Sequence, residues 1–240
     1  GLMRVVFSIF GIDVALSEGL AQGLAAVAAM TVLYGSMRAL AQTNLKRLLA
    51  YSTVSQLAFI TLGITLGSTL AAVGGIVHLV HQGLMKISLF FAAGNLAETL
   101  GVREIREMKG VGHRMPWTMA AFTLCAFGMI GVPPIAGFVT KWTIGLGAVD
   151  SGATWVIWVL VASSILNALY FLPILYSAWF EAPPARWPDE RNFPRAETSL
   201  VLLLPTLFTA AAALAVGLLA SAPFSPLEWA QLVAARQFSP

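Results

Sequence analysis

Long apolar runs with very few charged residues dominate this chain. Of its 240 residues, 58% are hydrophobic and only 10% are charged, whereas an ordinary soluble domain is about 25% charged. Several runs reach the ~20 residues that a helix needs to cross a bilayer. The runs are continuous rather than alternating, which argues against a transmembrane β-barrel. The composition therefore predicts an all-α polytopic membrane protein.

The apolar runs predict a bundle of about six full membrane-spanning helices plus one partial span. The predicted spans are 2–12 (partial), 19–41, 48–66, 70–97, 117–148 (broken), 154–180 and 199–221. We treat 1–221 as one transmembrane bundle and 222–240 as a short tail at the membrane interface or outside it. Because the first span has only about half the length of a crossing, we expect a fragment or one half of a larger protein.

Basic residues are concentrated in alternate connections between the predicted spans. Ten of the fourteen Lys and Arg residues fall in three connections: Arg38, Lys46 and Arg47; Arg103, Arg106, Lys109 and Arg114; Arg186, Arg191 and Arg195. The alternate connections carry no basic residue: one has Asp13 and Glu18, one around Gly67 has no charge, and one has Asp150. Because basic loops face the cytoplasm, this alternation supports the span count and predicts a C-terminus on the outer face.

Apart from Arg4 and Arg38 near span ends, the Lys, Arg and His side chains inside the predicted spans are His78, His81, Lys86 and Lys141, and no carboxylate lies there. A charge at membrane depth costs roughly 2.5–3.5 kcal/mol even on lenient scales, so such residues usually mark an ion or proton path. His78 and Lys86 would lie ~12 Å apart along a helix axis, as a ladder rather than a cluster. Imidazoles beside a desolvated lysine suit proton transfer along a hydrated file. A satisfied core hydrogen bond is the alternative for each histidine, and a position near the outer boundary is the alternative for Lys141.

A helix break is predicted immediately before Lys141. Gly131, Pro133 and Pro134 interrupt the long run, because proline removes an N–H donor and clashes with the preceding turn. Irregular backbone at membrane depth is tolerated only where it lines a protein-buried or water-filled cavity. Broken helices of this kind are typical of transporters, with a structural proline kink as the alternative.

Two polar stripes follow helical spacing in the predicted spans. One consists of Ser163, Asn167 and Tyr170, and the other of Ser52, Ser55 and Gln56. Each stripe would either hydrogen-bond neighbouring helices or line a hydrated path. We favour packing for both, and keep Asn167 and Ser163 as secondary candidates for the ion path.

Three blocks, 41–56, 78–91 and 131–141, together resemble one family. They are similar to the antiporter-like subunits shared by Mrp-type multisubunit cation/proton antiporters and the membrane arm of respiratory complex I. Segments 84–91 and 163–173 look most like the D-type subunit of Mrp antiporters. The similarity extends over roughly residues 1–180.

The resemblance implies roles for five residues by position. Lys86 matches the family's central-axis lysine, and Lys141 matches the lysine of the broken helix near the exit half-channel. His78 and His81 match the relay histidines. Lys46 matches a basic residue of the Leu-Lys-Arg block, although it is also interpreted as a cytoplasmic anchor.

The resemblance also implies a fold of about fourteen helices in two inverted repeats, each with a half-channel and a broken helix. This chain would be the second repeat, the C-terminal half of such a subunit. The family's first half, with its glutamate–lysine pair, has no counterpart here, and Asn44 stands where the family commonly has Asp. A truncated copy or one half of a split subunit is therefore expected.

These features predict proton and/or monovalent-cation (Na+) translocation by a membrane subunit of a multisubunit Mrp-type antiporter. The alternative is a proton-translocating or structural membrane-arm subunit of a complex I-like or hydrogenase complex, whose redox chemistry lies in other chains. In both cases the chain itself is expected to be a transport subunit rather than a catalytic one. The expected location is the bacterial inner (cytoplasmic) membrane, with multiple crossings.

No cofactor is expected from the sequence. The single Cys125 excludes a Cys-based metal or iron–sulfur site within the chain. His78 and His81, three residues apart on one helix, do not supply the two faces of one haem. The expected partners are other membrane subunits, protons, monovalent cations and the lipid bilayer, and no nucleic acid.

Overall fold

A computed structural model describes residues 19–191, 193 and 197–238, and these residues form a helical bundle. The helices are α1 Leu20–Leu40, α2 Leu45–Thr65, α3 Thr69–Leu100, α4 Val111–Arg114, α5 Pro116–Ile130, α6 Ala136–Asp150, α7 Trp155–Phe180, α8 Leu200–Leu218 and α9 Pro226–Phe238. A 3₁₀ turn, Ile105–Glu107, lies between α3 and α4. The described ranges contain no β-strand, which confirms the all-α fold.

Five of these helices, α1, α2, α3, α7 and α8, are long and apolar enough to cross a membrane. Their bounds agree with the predicted spans to within a few residues, so the polytopic prediction is confirmed. The predicted partial span 2–12 and the charged residues Asp13, Glu18 and Arg195 lie outside the described residues.

The predicted broken span is confirmed as two helices, α5 and α6, separated by the segment 131–135. Gly131 ends α5 with φ +101°, a left-handed conformation that glycine adopts without a steric penalty. Pro116 begins α5 at a position where its missing N–H costs no hydrogen bond. The break therefore follows from the local chemistry of the chain.

Helix α3 lies at the centre of the described bundle and packs against α2, α5, α6, α8 and α9. Glycine residues permit the closest approaches between these helices. A Cβ on Gly63 would lie 2.6 Å from the carbonyl oxygen of Ala71, and one on Gly74 would lie 2.6 Å from the side chain of Ile144. Small residues at helix contacts let backbones approach closely in membrane bundles. The second of these contacts sets the distance between α3 and α6, which carry His81 and Lys141.

The basic connections meet at one end of the bundle. The backbone N–H of Leu45 donates to the Arg103 carbonyl at 3.0 Å, and that of Asp189 donates to the Leu100 carbonyl at 3.1 Å. At the opposite end, the Ser68 hydroxyl donates to the Asp150 carboxylate at 2.7 Å. The charge alternation in the sequence therefore corresponds to two distinct ends of the bundle.

The segment expected to be a simple tail contains a thirteen-residue helix, α9. Ala230 and Ala234 of α9 are buried against Val73 and Val77 of α3. The tail thus packs on the first third of the central helix, a contact that the sequence did not predict.

Candidate functional site

Lys86 lies in the core of the bundle, with only 4% of its surface exposed. Its ammonium donates hydrogen bonds to the Ser52 hydroxyl and, at 3.4 Å, to the Leu49 carbonyl, both on α2. Among the described residues no carboxylate forms an ion pair with it. Lys86 is therefore buried inside the bundle, and its ammonium is held by neutral oxygens.

Lys141, on α6, reaches back across the helix break. Its ammonium donates to the carbonyls of Met129 at 3.1 Å and Ile130 at 2.8 Å. In a continuous helix these carbonyls would accept from residues 133 and 134, but both are prolines and have no N–H. The third N–H of the Lys141 ammonium donates to the Ser164 hydroxyl on α7, at 2.8 Å. The double proline thus frees the two carbonyls that hold this lysine.

Asn167 and Tyr170 on α7 are buried in the same region. The Asn167 side-chain amide donates to the Met129 carbonyl at 2.7 Å, so that this oxygen accepts from both Asn167 and Lys141. The Tyr170 hydroxyl donates to the Asn167 side-chain oxygen at 2.6 Å. Asn167, a secondary candidate from the sequence, is therefore in contact with the environment of Lys141.

The two histidines point to different neighbours. The Nδ1 of His81 lies 3.0 Å from the Thr140 hydroxyl, which in turn donates to the Ala136 carbonyl at 3.4 Å. This pattern assigns the Nδ1 of His81 as the donor and its Nε2 as an acceptor. The His78 ring packs edge-on against Phe59 of α2, at 5.6 Å between ring centroids. His78 and Lys86 thus face α2 whereas His81 faces α6, so the three side chains do not meet in one cluster.

Five buried side-chain atoms in the described part of the chain have no hydrogen-bond partner. They are the Nε2 of Gln56, both ring nitrogens of His78, the Nε2 of His81 and the Oγ of Ser163. These atoms lie near the two lysines. Gln56 is one turn beyond Ser52, which bonds Lys86. His81 contacts Thr140, the residue before Lys141, and Ser163 precedes Ser164, which bonds Lys141. More than 90% of buried polar groups are normally paired, and ordered water supplies partners that protein does not. This set of unpaired polar atoms is suited to binding a chain of ordered water molecules.

Lys46 is the one candidate that the structure keeps apart from this group. It is exposed in the first turn of α2, about 9 Å along the helix axis from Ser52. It lines a cavity of about 710 Å³ together with Glu98 and Arg191. Its predicted role in translocation stays a prediction.

The three members of the stripe on α2 have different surroundings. Ser55 bonds the Ser36 hydroxyl and the Val32 carbonyl of α1, at 2.8 and 2.7 Å. Ser52 instead holds Lys86, and the amide nitrogen of Gln56 is unpaired among the described residues. Sequence spacing could not distinguish these roles, because they depend on how α2 is rotated against its neighbours.

Two further residues of the site were not predicted, Thr140 and Ser164. Both are hydroxyl residues next to a residue that was singled out, Lys141 and Ser163 respectively. In an otherwise apolar span, a hydroxyl residue beside a candidate residue indicates a hydrogen-bond partner, so both residues could have been predicted from the sequence.

Comparison with known proteins identifies the family of this chain. The family described as "NADH:quinone oxidoreductase/Mrp antiporter, TM" matches residues 1–167. This chain belongs to that family. The resemblance drawn from three sequence blocks is thereby confirmed at the level of the NADH:quinone oxidoreductase/Mrp antiporter family.

Two relatives illustrate the breadth of the family. NADH-quinone oxidoreductase subunit N of Desulforudis audaxviator is 39% identical over 205 residues, covering 82% of this chain and 41% of that protein. A probable K(+)/H(+) antiporter subunit of Rhizobium meliloti is 34% identical over 216 residues, covering 88% of this chain and 21% of that protein. The chain spans less than half the length of these curated relatives.

Solved structures of the family share the fold. A chain of the Mrp complex from Dietzia matches with a TM-score of 0.84 and 24% identity, covering 99% of this chain and 51% of that chain. A chain of respiratory complex I from Thermus thermophilus matches with a TM-score of 0.81 and 24% identity, covering 99% of this chain and 49% of that chain. At this identity the likeness shows the fold alone.

Proposed function

We propose that this chain is a proton-translocating membrane subunit of a multisubunit Mrp-type antiporter, which exchanges protons for a monovalent cation such as Na+. Lys86 and Lys141 are the proton carriers, and His78 and His81 are relay groups. Membership of the antiporter family supports the class of activity. Lys86 is buried and Lys141 is partly buried, and neither forms an ion pair with a carboxylate of the described residues, which supports the choice of carriers.

The observation that carries the proposal is the set of unpaired buried polar atoms around the two lysines. An unsatisfied buried polar group costs about 1–3 kcal/mol, so five of them would not persist in a dry core. Water in this region would join groups that can gain and lose protons. The acceptor Nε2 of His81 and the unprotonated ring nitrogen of His78 are suited to receive a proton from such water, and the other ring nitrogen of His78 can donate one.

The proposed path begins at Lys86, which loads a proton and passes it to water beside Gln56 and His78. His78 and His81 lie one turn apart on α3, and His81 contacts Thr140, the residue before Lys141, so the proposed path continues toward α6. Lys141 receives the proton and releases it at the break between α5 and α6. The free carbonyls at this break stabilise the charged lysine without binding it as tightly as a carboxylate would.

Two uncompensated lysines in a low-dielectric bundle are costly, so a larger assembly is part of the proposal. Carboxylates from neighbouring membrane subunits would balance these charges. The end of the bundle that carries the basic connections would face the cytoplasm of a bacterial cell, and α9 would lie toward the outer face.

A second candidate function is that of a proton-translocating membrane-arm subunit in a redox complex. The observation that favours it is the 39% identity to NADH-quinone oxidoreductase subunit N. The proposed carriers and path are the same in both cases. Only the source of energy differs, so one experiment can separate the two.

The test uses everted membrane vesicles from the native host, with chromosomal Lys86→Ala, Lys141→Ala and deletion strains. A pH-sensitive dye follows proton movement driven either by an imposed Na+ or K+ gradient or by NADH oxidation. We expect both lysine variants to fall to the level of the deletion strain while the chain persists in the membrane. Loss in the cation-gradient arm supports antiport, and loss only in the NADH arm supports the redox complex. Wild-type rates in both lysine variants would contradict the proposal.

A further inference from the structure

A cavity of about 710 Å³ opens between α3 and α8 at the basic end of the bundle. Its wall has two chemically different parts, one charged and one apolar. The charged part includes Lys46, Glu98 and Arg191, and the apolar part includes Phe90, Phe91 and Pro205. We call it the amphipathic cavity. Its volume is in the range of about 300–1,000 Å³ that is typical of sites for organic ligands, so it is much larger than a single small anion needs.

The two parts of the wall are separated along the bundle axis. Phe91 and Glu98 are seven residues apart on α3, which is about 10 Å along the helix. Glu98 is the nearer of the two to the basic connections, since the last residue of α3, Leu100, bonds Asp189 there. The charged part therefore faces the end of the bundle and the apolar part faces its middle. Headgroups and acyl chains follow each other in the same order in one leaflet of a bilayer.

The space in the cavity depends on a glycine of α3. Gly94 lies in the wall between Phe91 and Glu98, and a Cβ built on it would meet no atom within 4 Å. Gly74, near the start of the same helix, is different, because a Cβ there would lie 2.6 Å from Ile144. The cavity also opens sideways, since 42% of Phe91 and 79% of Val201 are exposed. An acyl chain can therefore enter from the bilayer.

The positive charge of Lys46 is not balanced within the cavity. Glu98 forms an ion pair with Arg191, so this carboxylate already has a partner. Arg191 also lies 3.7 Å from Asp189, which is outside the cavity wall. Lys46 is exposed and forms no ion pair with a described residue. Helix α8 begins at the same mouth, and the positive end of its dipole also favours an anion there.

We propose that the amphipathic cavity binds an anionic phospholipid. The phosphate lies at the mouth beside Lys46, and an acyl chain runs inward past Gly94 along Phe90 and Phe91. Basic pockets between membrane-spanning helices at the cytoplasmic side recognise anionic headgroups in this way. A free phosphate would leave the apolar part of the wall in contact with water, so the occupant is a lipid. The site is separate from the proposed proton path and gives Lys46 a role other than translocation.

The test is photolabelling of the native membrane assembly in vesicles of phosphatidylethanolamine. Trace amounts of phosphatidylglycerol or phosphatidylethanolamine, each with the same photoreactive acyl chain, are compared at residues 90–95 by peptide mass spectrometry. Labelling is expressed relative to the rest of the chain. We expect the anionic probe to label this segment about fivefold more than the neutral probe, the preference that one basic residue provides. Unlabelled phosphatidylglycerol should suppress the labelling, whereas inorganic phosphate should not.

Variants of the charged part test the role of Lys46. Lys46→Gln should lower labelling of residues 90–95 by the anionic probe about fivefold, and Lys46→Arg should retain it. Lys46 is exposed, so its replacement leaves the packing of the bundle unchanged. Arg47→Gln is the matched control, because Arg47 is also exposed and adjacent but does not line the cavity. Its labelling should stay within twofold of wild type.

A variant of the apolar part tests the cavity itself. Gly94→Phe fills the space that an acyl chain would occupy and should reduce labelling to background. Gly83→Phe is its control, because a Cβ at Gly83 of the same helix also meets no atom within 4 Å and Gly83 does not line the cavity. If Gly94→Phe fails to assemble, Lys46→Gln decides.

Four results would overturn the inference. They are equal labelling by the two probes, absence of labelling at residues 90–95 in the wild-type assembly, suppression by inorganic phosphate, and unchanged labelling in an assembled Lys46→Gln or Gly94→Phe variant. Absence of labelling would mean that another subunit covers the cavity, and suppression by phosphate would mean that the mouth binds a free anion. Transport is not the readout, so the inference can fail while the proposed function stands.

Discussion

Lys141 and Asn167 donate hydrogen bonds to the same acceptor, the Met129 carbonyl oxygen, at 3.1 and 2.7 Å. That oxygen is available because residue 133, its partner in a continuous helix, is a proline. The helix break, Lys141 of α6 and the Asn167 amide of α7 are thus connected through one hydrogen-bond acceptor. The interruption is the feature that makes a lysine tolerable at this depth without a carboxylate.

The first prediction concerns the double proline. Replacing both Pro133 and Pro134 by Ala restores two N–H groups that can compete with Lys141 for the carbonyls of Met129 and Ile130. We expect transport to fall by at least tenfold while the amount of chain in the membrane falls much less. Proton transport per unit of chain in vesicles measures this.

Pro205→Ala is the control for that variant. Pro205 lies inside α8, so its replacement also supplies an N–H within a helix, but none of the described lysines bonds the backbone there. Equal losses in the two variants would show that the proline effect is structural and has nothing to do with Lys141.

The second prediction separates charge from proton release at Lys86. Lys86→Arg keeps the positive charge and most of the side-chain volume, but a guanidinium does not release its proton at working pH. We expect this variant to be as inactive as Lys86→Ala in the same vesicle assay. Lys109→Arg is the control, because Lys109 is an exposed ion-pair partner of Glu181 at the basic end. An active Lys86→Arg protein would mean that Lys86 acts as a fixed charge.

The third prediction concerns the tautomer of His81. Thr140→Val keeps the side-chain shape but removes the hydroxyl that bonds the Nδ1 of His81. Without that acceptor the proton can move to Nε2, which then cannot receive one from water. We expect transport to slow about threefold to tenfold. Thr143→Val is the matched control, because the partner of the Thr143 hydroxyl among the described residues is the Val139 carbonyl of its own helix.

The fourth prediction concerns pH and the connection between α3 and α4, outside the spans. The backbone N–H groups of Arg103 and Glu104 bind the Glu107 carboxylate at 3.0 and 2.9 Å and lower its pKa below the ordinary value. A lowered folded-state pKa stabilises the connection above the ordinary glutamate value of about 4.3. This stabilisation is lost as the pH falls through the lowered value.

Glu107→Gln tests this account of the connection. Because the variant is uncharged, amide exchange of residues 103–107 should be about threefold faster than in wild type at neutral pH. The difference should shrink toward zero as the pH falls below the lowered pKa of Glu107. Exchange in α9, at the opposite end, provides the reference. A difference that is independent of pH would show that the charge of Glu107 does not hold the connection.

The helices were predictable because each depends on local chemistry. Runs of about twenty apolar residues locate the spans, and adjacent prolines break the run before Lys141 whatever surrounds it. The depth of Lys86 and Lys141 follows from the same runs. The family resemblance added the roles of the histidines.

The partners of those residues were not predictable, because they depend on the rotation of one helix against another. Ser52 and Ser55 share a stripe on α2, yet one faces Lys86 on α3 and the other faces Ser36 on α1. The packing of α9 on α3 is a tertiary contact through two alanines, Ala230 and Ala234, which carry no distinctive sequence signal.

The most direct test of the central claim is a high-resolution map of the chain in its native membrane assembly. The account predicts ordered water within hydrogen-bonding distance of the His81 Nε2, the His78 ring nitrogens and the Gln56 amide. That water should continue toward Lys141, since these atoms have no partner among the described residues. A dry region in which apolar side chains surround these atoms, or protein groups of the assembly satisfy all of them, would contradict a hydrated proton path between Lys86 and Lys141.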